Sequence, residues 1–190
     1  MSEDLRNMLD RLHQELAGRM RADWQRDLPF SELVSDRWQR AERLGFGPGA
    51  SIYDSSYVYG DVTVGANTWI GPLTLLDGSG GLTIGSHCSI SAGVHIYTHD
   101  TVEWALSGGR IPAQRSAVSI GDNTYVGSQV VIARGVAIGD HCVIGAGSFV
   151  NRSIPPFSVA VGSPCRVIGR VQVEESGEIS LQYDESPGTT

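Results

Sequence analysis

Residues 120–150 read IGDNTYVGSQVVIARGVAIGDHCVIGAGSFV, and an aliphatic side chain recurs in this stretch at every sixth position. The same spacing reaches back to Phe46, although the step from Leu76 to Ile84 is eight residues long. A fixed six-residue period is typical of a parallel β-helix, whose short strands stack into a solenoid. The periodic residues are Phe46, Ile52, Val58, Val64, Ile70, Leu76, Ile84, Ile90, Ile96, Ile120, Val126, Ile132, Ile138, Ile144 and Val150.

Three units of six residues make one coil with three flat faces, and successive coils stack at about 4.8 Å. The pattern predicts an all-β solenoid of about five coils across residues 46–170. The eight-residue step contains Asp77-Gly-Ser-Gly-Gly, which we interpret as a small bulge at one corner. Between Ile96 and Ile120 the period fails again, so residues 97–117 are predicted to leave the solenoid as a loop. Long insertions on regular scaffolds favour a functional role, which makes this loop the first place to look for chemistry.

The two ends of the chain lack the six-residue period. Residues 1–45 are predicted to form a helical cap or arm, because leucine and methionine recur at spacings of three and four up to about residue 22. A second helix is expected to begin with Ser31 as its N-cap and to stop at Gly45. Residues 171–190 are acidic and polar, which predicts a mobile C-terminal tail.

Composition narrows the functional class. The chain carries 14 Lys and Arg against 21 Asp and Glu, a net charge of −7, without a basic cluster for a nucleic-acid backbone. It contains no run of about 18 apolar residues that would cross a membrane. The opening stretch MSEDLRNMLDRLHQELAGRM is charged where a secretory signal is apolar. We therefore expect a cytoplasmic protein without nucleic-acid or membrane partners.

Four polar residues of the repeat share one register. Asn67, His87, Asn123 and His141 each follow a periodic aliphatic residue by three positions. Asn and His adopt the left-handed backbone conformation more readily than most residues do. His87 and His141 are therefore interpreted as turn residues.

Two other histidines lie where the loop begins. His95 directly precedes Ile96, so its side chain should point outward, either as a neighbour of a site or as an ordinary surface residue. His99 lies where the chain leaves the solenoid. Imidazole takes up and releases a proton near neutral pH without tuning. His99 is therefore the candidate general base for deprotonating a sugar hydroxyl.

Several segments follow His99 in a specific order. They are the loop itself, Val118-Ser-Ile-Gly-Asp-Asn-Thr-Tyr-Val-Gly-Ser, Val131-Ile-Ala-Arg-Gly-Val-Ala-Ile-Gly-Asp, Gly145-Ala-Gly-Ser-Phe-Val and Gly162-Ser-Pro-Cys-Arg-Val-Ile. Together with Tyr97-Thr-His-Asp, they resemble the hexapeptide-repeat sugar O-acetyltransferases of the galactoside, maltose and Nod-factor group. The resemblance covers about residues 60 to 170. Tyr97-Thr-His-Asp and the bulge are also similar to acetyltransferases of capsule and lipopolysaccharide gene clusters.

The resemblance implies a left-handed β-helix and a homotrimer that transfers an acetyl group from acetyl-CoA to a sugar hydroxyl, with no metal. The handedness comes from the resemblance alone, because the general preference for right-handed crossovers predicts the opposite. In the group, the histidine that matches His99 is the general base for direct attack of the hydroxyl on the thioester. Carbonyl oxygens of the turn are expected to hold its ring in the required tautomer.

The same resemblance implies a CoA site in the groove between neighbouring subunits. Ser128 and Ala146 match positions beside the pantetheine arm, where small side chains let the arm approach the backbone. Arg152 and Arg166 match positions near the nucleotide phosphates, where cations pair with anions. Tyr125 matches an aromatic position that can wall the acyl end.

The acceptor site departs from that of the group. The sugar-binding Asn and Asp of the galactoside and maltose enzymes meet Gly71 and Ser79 when the sequences are read without gaps. Asp77 replaces the acid if the bulge is shifted, and Glu103 and Trp104 of the loop are further candidates for contact with the acceptor. A Trp ring in this position either stacks on a sugar face or anchors the loop.

Three alternatives remain open at the level of sequence. An enzyme with the same fold and donor could acetylate an amine on a nucleotide-linked amino sugar. A zinc carbonic anhydrase with the same helix needs three converging histidines, whereas His87 and His141 belong to turns and His95 and His99 lack the expected spacing. A degenerate solenoid that serves only as a trimeric scaffold would bind no CoA.

Overall fold

Residues 3–174 and 176–184 are described by the computed structural model, and they form a left-handed parallel β-helix of about six turns behind an N-terminal helix. The fold class predicted from the six-residue period is thereby confirmed. The strands are, in chain order, β1 Ser51–Ile52, β2 Tyr57–Val64, β3 Trp69–Ile70, β4 Leu75–Ile84, β5 Ser89–Ile90, β6 His95–Ile96, β7 His99–Asp100, β8 Gln114–Arg115, β9 Val118–Ile120, β10 Tyr125–Val126, β11 Val131–Ile132, β12 Ala137–Ile138, β13 Val143–Ile144, β14 Phe149–Val150, β15 Ser158–Val161, β16 Arg166–Val173 and β17 Ile179–Tyr183.

Each coil runs through three faces, and the corners between them carry the irregular residues. Face one holds β1, β3, β5, β10, β13 and β15 as parallel neighbours. Face two holds the beginnings of β2 and β4 with β6, β11 and β14, and face three holds the ends of β2 and β4 with β9 and β12. We call the corner after face one the small-residue corner (71–74, 91–94, 127–130 and 145–148), the corner after face two the loop corner (77–82, 97–117, 133–136 and 151–153), and the corner after face three the turn corner (65–68, 85–88, 121–124 and 139–142).

The interior of the solenoid is a stack of aliphatic side chains from all three faces. The periodic residues from Ile52 to Val150 are at most 2% exposed, apart from the partly buried Val58. Burying one such side chain contributes about 1.5–3 kcal/mol. The stack therefore provides a rigid wall on which irregular segments can be held at the corners.

The closing segment adds a turn to the predicted number. The sequence predicted about five coils, whereas face one carries six rungs. The last rung is β15, which pairs in parallel with β13, and Ile154 forms a bridge to Ile138 on face three. Residues 154–161 thus continue the coil, although the step from Val150 to Ile154 is four residues instead of six.

His87 and His141, the two histidines of the repeat, lie at the turn corner. Asn67, His87, Asn123 and His141 have φ angles of 54°, 56°, 56° and 54°. Each coil therefore turns here through one residue in the left-handed region, which Asn and His tolerate. The interpretation of His87 and His141 as turn residues is confirmed.

The N-terminal arm consists of α1 Glu3–Trp24, α2 Phe30–Val34 and α3 Arg37–Arg43, and a further short helix, α4 Val102–Leu106, lies in the loop. The single second helix predicted from Ser31 to the Gly45 stop is wrong. Ser35 is extended, and the Asp36 carboxylate accepts from the backbone N–H groups of Trp38 and Gln39, which starts a new helix. Among the described residues, no helix is long and apolar enough to span a membrane.

The C-terminal segment is more regular than its composition suggested. β16 pairs antiparallel with β15 and with β17, so the chain closes in a hairpin that reaches Tyr183. The composition predicted a mobile tail, and residues 179–183 of that tail form a strand that pairs with β16. Residues 175 and 185–190, to which that prediction also applied, lie outside the described residues.

Candidate active site at the loop corner

Both interruptions of the repeat meet at the loop corner. The bulge widens β4 between Asp77 and Gly81, directly beside Thr98, at which the loop leaves the solenoid. A Cβ atom on Gly80 would overlap the Thr98 carbonyl oxygen, so only glycine permits this approach. The Gly80 N–H donates to the Thr98 hydroxyl at 2.8 Å. The bulge therefore forms the seat for the root of the loop.

Asp77 is the buried carboxylate of this seat, and its side chain is 2% exposed. Its Oδ1 accepts from Ser79 N–H at 2.9 Å and its Oδ2 accepts from Thr98 N–H at 2.8 Å. Burial alone would raise the pKa of Asp77, but the hydrogen bonds from Ser79, Thr98 and His99 outweigh it and hold that pKa well below its usual range. The side chain is consequently an anion at neutral pH.

His99 lies over this carboxylate. Its Nδ1 is 2.6 Å from Asp77 Oδ2, while the imidazole remains 37% exposed. A carboxylate can only accept, so Nδ1 carries the proton that it shares with Asp77. In the neutral ring, Nε2 then keeps its lone pair for a proton from outside.

Two sequence expectations are corrected here. Asp77 was expected to contact the acceptor, but its oxygen atoms are buried and occupied by Ser79, Thr98 and His99. Backbone carbonyl oxygens were expected to fix the His99 tautomer, whereas the Asp77 carboxylate is in that position. The bulge carries Asp77 to His99 across 22 positions of sequence, and the only hint in the sequence is an acid at the eight-residue step.

The loop leaves and returns as a short antiparallel ribbon. β7 pairs with β8, so that His99 lies opposite Arg115 and Asp100 lies opposite Gln114. The ribbon positions α4, which carries the two loop candidates for acceptor contact, Glu103 and Trp104. The Glu103 carboxylate accepts from the Gln114 amide at 3.0 Å.

Trp104 is half exposed, at 51%. The edge of its indole lies against Gly109, where an added Cβ would be 3.5 Å from Nε1. This contact with the backbone is that of a loop anchor, and the exposed remainder of the ring leaves room for a sugar face. Both readings of Trp104 are compatible with its position.

Arg134 fixes the base of the ribbon and was not identified from the sequence. Its guanidinium binds the Asp100 carboxylate through Nε and donates from Nη1 to the Ser116 hydroxyl at 3.3 Å. One side chain of the following coil therefore holds the outgoing and the returning strand together. The pKa of Asp100 lies below its usual value, mainly because its carboxylate accepts a hydrogen bond from Arg134.

His95 lies on the outer surface of face two, as expected for a residue that precedes a buried aliphatic. Its Nδ1 is 3.3 Å from the Tyr97 hydroxyl, and the two rings meet edge to face.

Within the described residues, no group of three His, Cys, Asp or Glu side chains is arranged to hold a metal ion.

The residues expected to bind the donor divide between two corners and one face. Ser128 and Ala146 stack on successive coils of the small-residue corner, where Gly147 N–H donates to the Ser128 carbonyl oxygen at 2.9 Å. Arg166 begins β16 opposite Val161, at the end of face one that leads into the same corner. Its guanidinium donates to the Cys165 carbonyl oxygen at 2.7 Å.

The other two donor candidates lie elsewhere on the chain. Arg152 follows β14 at the loop corner, one coil beyond Arg134, and is exposed. Tyr125 lies on face one between the rungs of Ser89 and Val143 and is 44% exposed. Within one chain, face two separates the small-residue corner from His99, so a single copy does not bring Ser128 and Ala146 together with the base.

Two cavities of the described chain lie at the arm. One of about 410 Å³ lies between α1, α2 and α3, where Trp24, Arg26 and Arg37 contribute to its wall. Another of about 480 Å³ lies below the first coil, beside Trp38 and Phe46. The His99 ring, which is 37% exposed, lies apart from these two cavities at the edge of the solenoid.

Known proteins share this repeat. The family described as bacterial transferase hexapeptide (six repeats) matches residues 117–152. The galactoside O-acetyltransferase of Escherichia coli is 57% identical over 54 residues, which are 28% of this chain and 27% of that enzyme. This match thus spans only about a quarter of the length of that curated relative. The resemblance inferred from the sequence is confirmed by these matches.

Solved structures share the fold over most of the chain. A maltose O-acetyltransferase from Clostridium difficile has a TM-score of 0.60 at 29% identity, and the match covers 87% of this chain and 89% of that one. AntD, an N-acyltransferase from Bacillus cereus in complex with dTDP and 3-hydroxybutyryl-CoA, has a TM-score of 0.58 at 24% identity. That match covers 68% of this chain and 86% of that one. At this identity, the second likeness concerns the fold alone.

Proposed function

We propose that this chain, which carries the hexapeptide repeat of bacterial transferases, is an acetyl-CoA-dependent O-acetyltransferase that uses His99 as general base on a sugar hydroxyl. The observation that carries the proposal is the 2.6 Å contact between His99 Nδ1 and the buried Asp77 carboxylate. This contact leaves Nε2 of a partly exposed ring as the proton acceptor. The similarity to a galactoside and a maltose O-acetyltransferase supports acetyl transfer to a sugar.

The reaction follows from this arrangement. His99 Nε2 takes the proton of the acceptor hydroxyl while the oxygen attacks the thioester carbonyl carbon of acetyl-CoA. The new C–O bond forms, the C–S bond breaks, and the CoA thiolate takes the proton back from the imidazolium. The Asp77 anion stabilises that imidazolium, and its hydrogen bond keeps the ring oriented throughout.

The donor site of the proposal lies between copies of the chain. A homotrimer would bring the loop corner of one copy against the small-residue corner of its neighbour, which a single chain keeps apart. Ser128 and Ala146 then leave room for the pantetheine arm, Tyr125 walls the acyl end, and Arg152 and Arg166 meet the phosphates. Arg152 and Arg166 lie at different corners of one chain, so both can serve one CoA only if they come from different copies.

The test is release of CoA thiol from acetyl-CoA in the presence of matched hydroxy and amino sugars. We expect transfer to the hydroxy sugars, and a loss of about 10²- to 10⁴-fold in His99→Ala at saturating acetyl-CoA. Near wild-type transfer by His99→Ala would refute the role of His99. Transfer to the amino sugars alone would identify an N-acetyltransferase instead.

A matched control keeps the fold and changes a histidine outside the site. His87→Asn replaces a turn residue with the type found at the equivalent position Asn67, so its transfer rate should equal that of the wild type. The affinity of the wild type and of His99→Ala for CoA should also be equal. Absence of any CoA binding to the wild type would favour a scaffold without activity.

A further inference from the structure

Arg115 is the nearest cation to the proposed base along the ribbon. It lies directly opposite His99 in the antiparallel pairing of β7 and β8. The neighbouring pair is the hydrogen-bonded one, since Ser116 N–H donates to the Thr98 carbonyl oxygen at 2.9 Å. His99 and Arg115 therefore form a non-hydrogen-bonded pair. Their side chains project from the same face of the ribbon, with Cβ atoms about 4.5–5.5 Å apart.

The guanidinium of Arg115 has no hydrogen-bond or ion-pair partner anywhere in the described part of the chain. The acids nearest to it in the loop are already occupied. Asp100, on the opposite face of the ribbon, binds Arg134, and Glu103 accepts from Gln114. Asp77 is buried beneath His99. An exposed cation is thus left beside the base.

We propose that Arg115 binds an anionic group of the acceptor, so that the acetylated sugar is an acidic one that carries a carboxylate or a phosphate near the reacting hydroxyl. This inference rests on the proposed function, because it assigns the acceptor class to the same site. A guanidinium presents a planar fork of N–H donors that matches a carboxylate or a phosphate with two parallel hydrogen bonds.

The other anions of the reaction fit Arg115 less well. The phosphates of CoA are separated from the thioester by the whole pantetheine arm, so a cation beside the base cannot reach them when the thioester is in place. The oxyanion of the tetrahedral intermediate needs donors that are fixed before the reaction begins. Arg115 is exposed and held by no partner within the described residues, which suits an acceptor that arrives from solvent.

The test compares acceptors that differ in one charged group. Initial rates of thiol release are measured with glucuronic acid against glucose and with glucose 6-phosphate against glucose. We expect the wild type to favour the acidic acceptor by about 10- to 100-fold in kcat/KM, the range of a hydrogen bond between charged groups. The carboxylate and phosphate pairs separate the two sources of the negative charge.

The variants assign the preference to one side chain. Arg115→Gln should lower kcat/KM for the acidic acceptors to the level of glucose and leave glucose itself unchanged. Arg115→Lys should retain part of the preference, because it keeps the charge without the fork. Arg170→Gln on β16, where Arg170 lies opposite Ser158, is the control for loss of a surface arginine and should behave as the wild type.

Three outcomes would overturn the inference. They are equal kcat/KM for acidic and neutral acceptors in the wild type, an equal loss for both in Arg115→Gln, and a rise confined to the KM for acetyl-CoA. The second outcome would assign Arg115 to the oxyanion and the third to the donor. Each leaves the proposed function intact, which fails instead when His99→Ala retains transfer.

A binding measurement covers the case in which no acceptor of the panel is turned over. Saturation-transfer NMR with glucuronate and glucose compares the same two ligands on wild type and Arg115→Gln. Preferential binding of glucuronate that is lost in the variant supports the inference. Equal binding of the two sugars to the wild type contradicts it.

Discussion

The turn corner and the loop corner use the same residue type for opposite purposes. At the turn corner, His87 and His141 occupy the same register as Asn67 and Asn123. Their role in the fold is to adopt the left-handed φ angle that the turn requires. At the loop corner, His99 lies outside the repeat, where a buried acid meets one ring nitrogen and solvent meets the rest. A histidine in this solenoid gains a buried carboxylate as its partner where the period is broken.

Energetics explain why the two corners cannot exchange roles. The turn corner is repeated on successive coils, and the left-handed residue of each turn donates its backbone N–H to the preceding coil, as His87 N–H does to the Ala66 carbonyl oxygen at 2.8 Å. A carboxylate at the turn corner also accepts a backbone N–H group, as Asp140 does from Asp122 at 2.8 Å, but Asp140 is exposed, whereas Asp77 is buried and depends on its hydrogen-bond donors. The bulge frees Ser79 N–H and the loop root frees Thr98 N–H, and both go to Asp77.

Of the changes that test this comparison, removal of the Asp77 charge should have the largest effect on kcat. In Asp77→Asn, the negative charge is lost and one of the two oxygens becomes an NH₂ group that cannot accept, so Ser79, Thr98 and His99 compete for a single oxygen and the His99 ring loses its fixed anionic partner. We expect kcat to fall by about 10²-fold or more while the KM for acetyl-CoA is unchanged. Circular dichroism and the melting temperature report whether the variant is folded. A folded variant with wild-type kcat would contradict the pairing.

Release of the loop root should have a smaller effect. Arg134→Gln removes the ion pair with Asp100 and loosens both strands of the ribbon, without touching Asp77 or His99. We expect kcat to fall by about 10-fold, because a base that moves by about an ångström loses part of its alignment. Hydrogen exchange of residues 99–116 should become faster in the variant. Unchanged exchange together with unchanged kcat would show that Arg134 does not hold the loop.

The pH dependence of the unfolding free energy provides a separate test of the ionisation state of Asp77. Since the pKa of Asp77 is lower in the folded than in the unfolded chain, its contribution to stability is complete above pH of about 4 and is lost as the pH falls further. Below that pH, the free energy of unfolding of the wild type should decrease more steeply than that of Asp77→Asn, by up to about 1.4 kcal/mol per pH unit. Denaturant titrations at a series of pH values measure both slopes. Parallel slopes would mean that Asp77 is not the buried anion described above.

The smallest effect is expected at the turn corner. His87→Asn preserves the residue class that tolerates φ of 56°, and we expect a change in unfolding free energy within about 0.5 kcal/mol. His87→Val places a β-branched residue in the left-handed region and should cost about 1–2 kcal/mol. Neither change should alter the transfer rate of the folded protein. A loss of transfer in folded His87→Asn would contradict the claim that the histidines of the turn corner serve only the fold.

The solenoid could be predicted from the sequence because nearly all of the periodic residues are buried, as Ile90 and Ile132 are. The closing turn could not, because the step from Val150 to Ile154 is only four residues and breaks the six-residue spacing before Ile154 and Ala160 resume it. The break in the arm was missed because the apolar spacing runs on from α2 into α3, although α2 begins at Phe30 after Pro29 and Asp36 caps a separate helix.

The candidate site could be predicted only in part. His99 stands out because it opens the one long loop, but its partners come from the preceding and the following coil. Asp77 reaches it through a bulge whose register the sequence does not define, and Arg134 reaches the loop root through an ion pair with Asp100. Arg115 becomes a neighbour of His99 only when the loop returns as an antiparallel ribbon. Contacts of this kind depend on the path of the chain and leave no local pattern.

The state of the His99 ring tests the central claim most directly. In protein labelled with ¹⁵N-histidine, the His99 signals can be assigned by their loss in His99→Gln and followed by NMR through the pH range of imidazole titration. We predict that the neutral ring has a protonated Nδ1 and an unprotonated Nε2, and that Asp77→Asn abolishes this preference. A neutral ring with its proton on Nε2 in the wild type would contradict the account, because His99 could not then accept a proton from the acceptor.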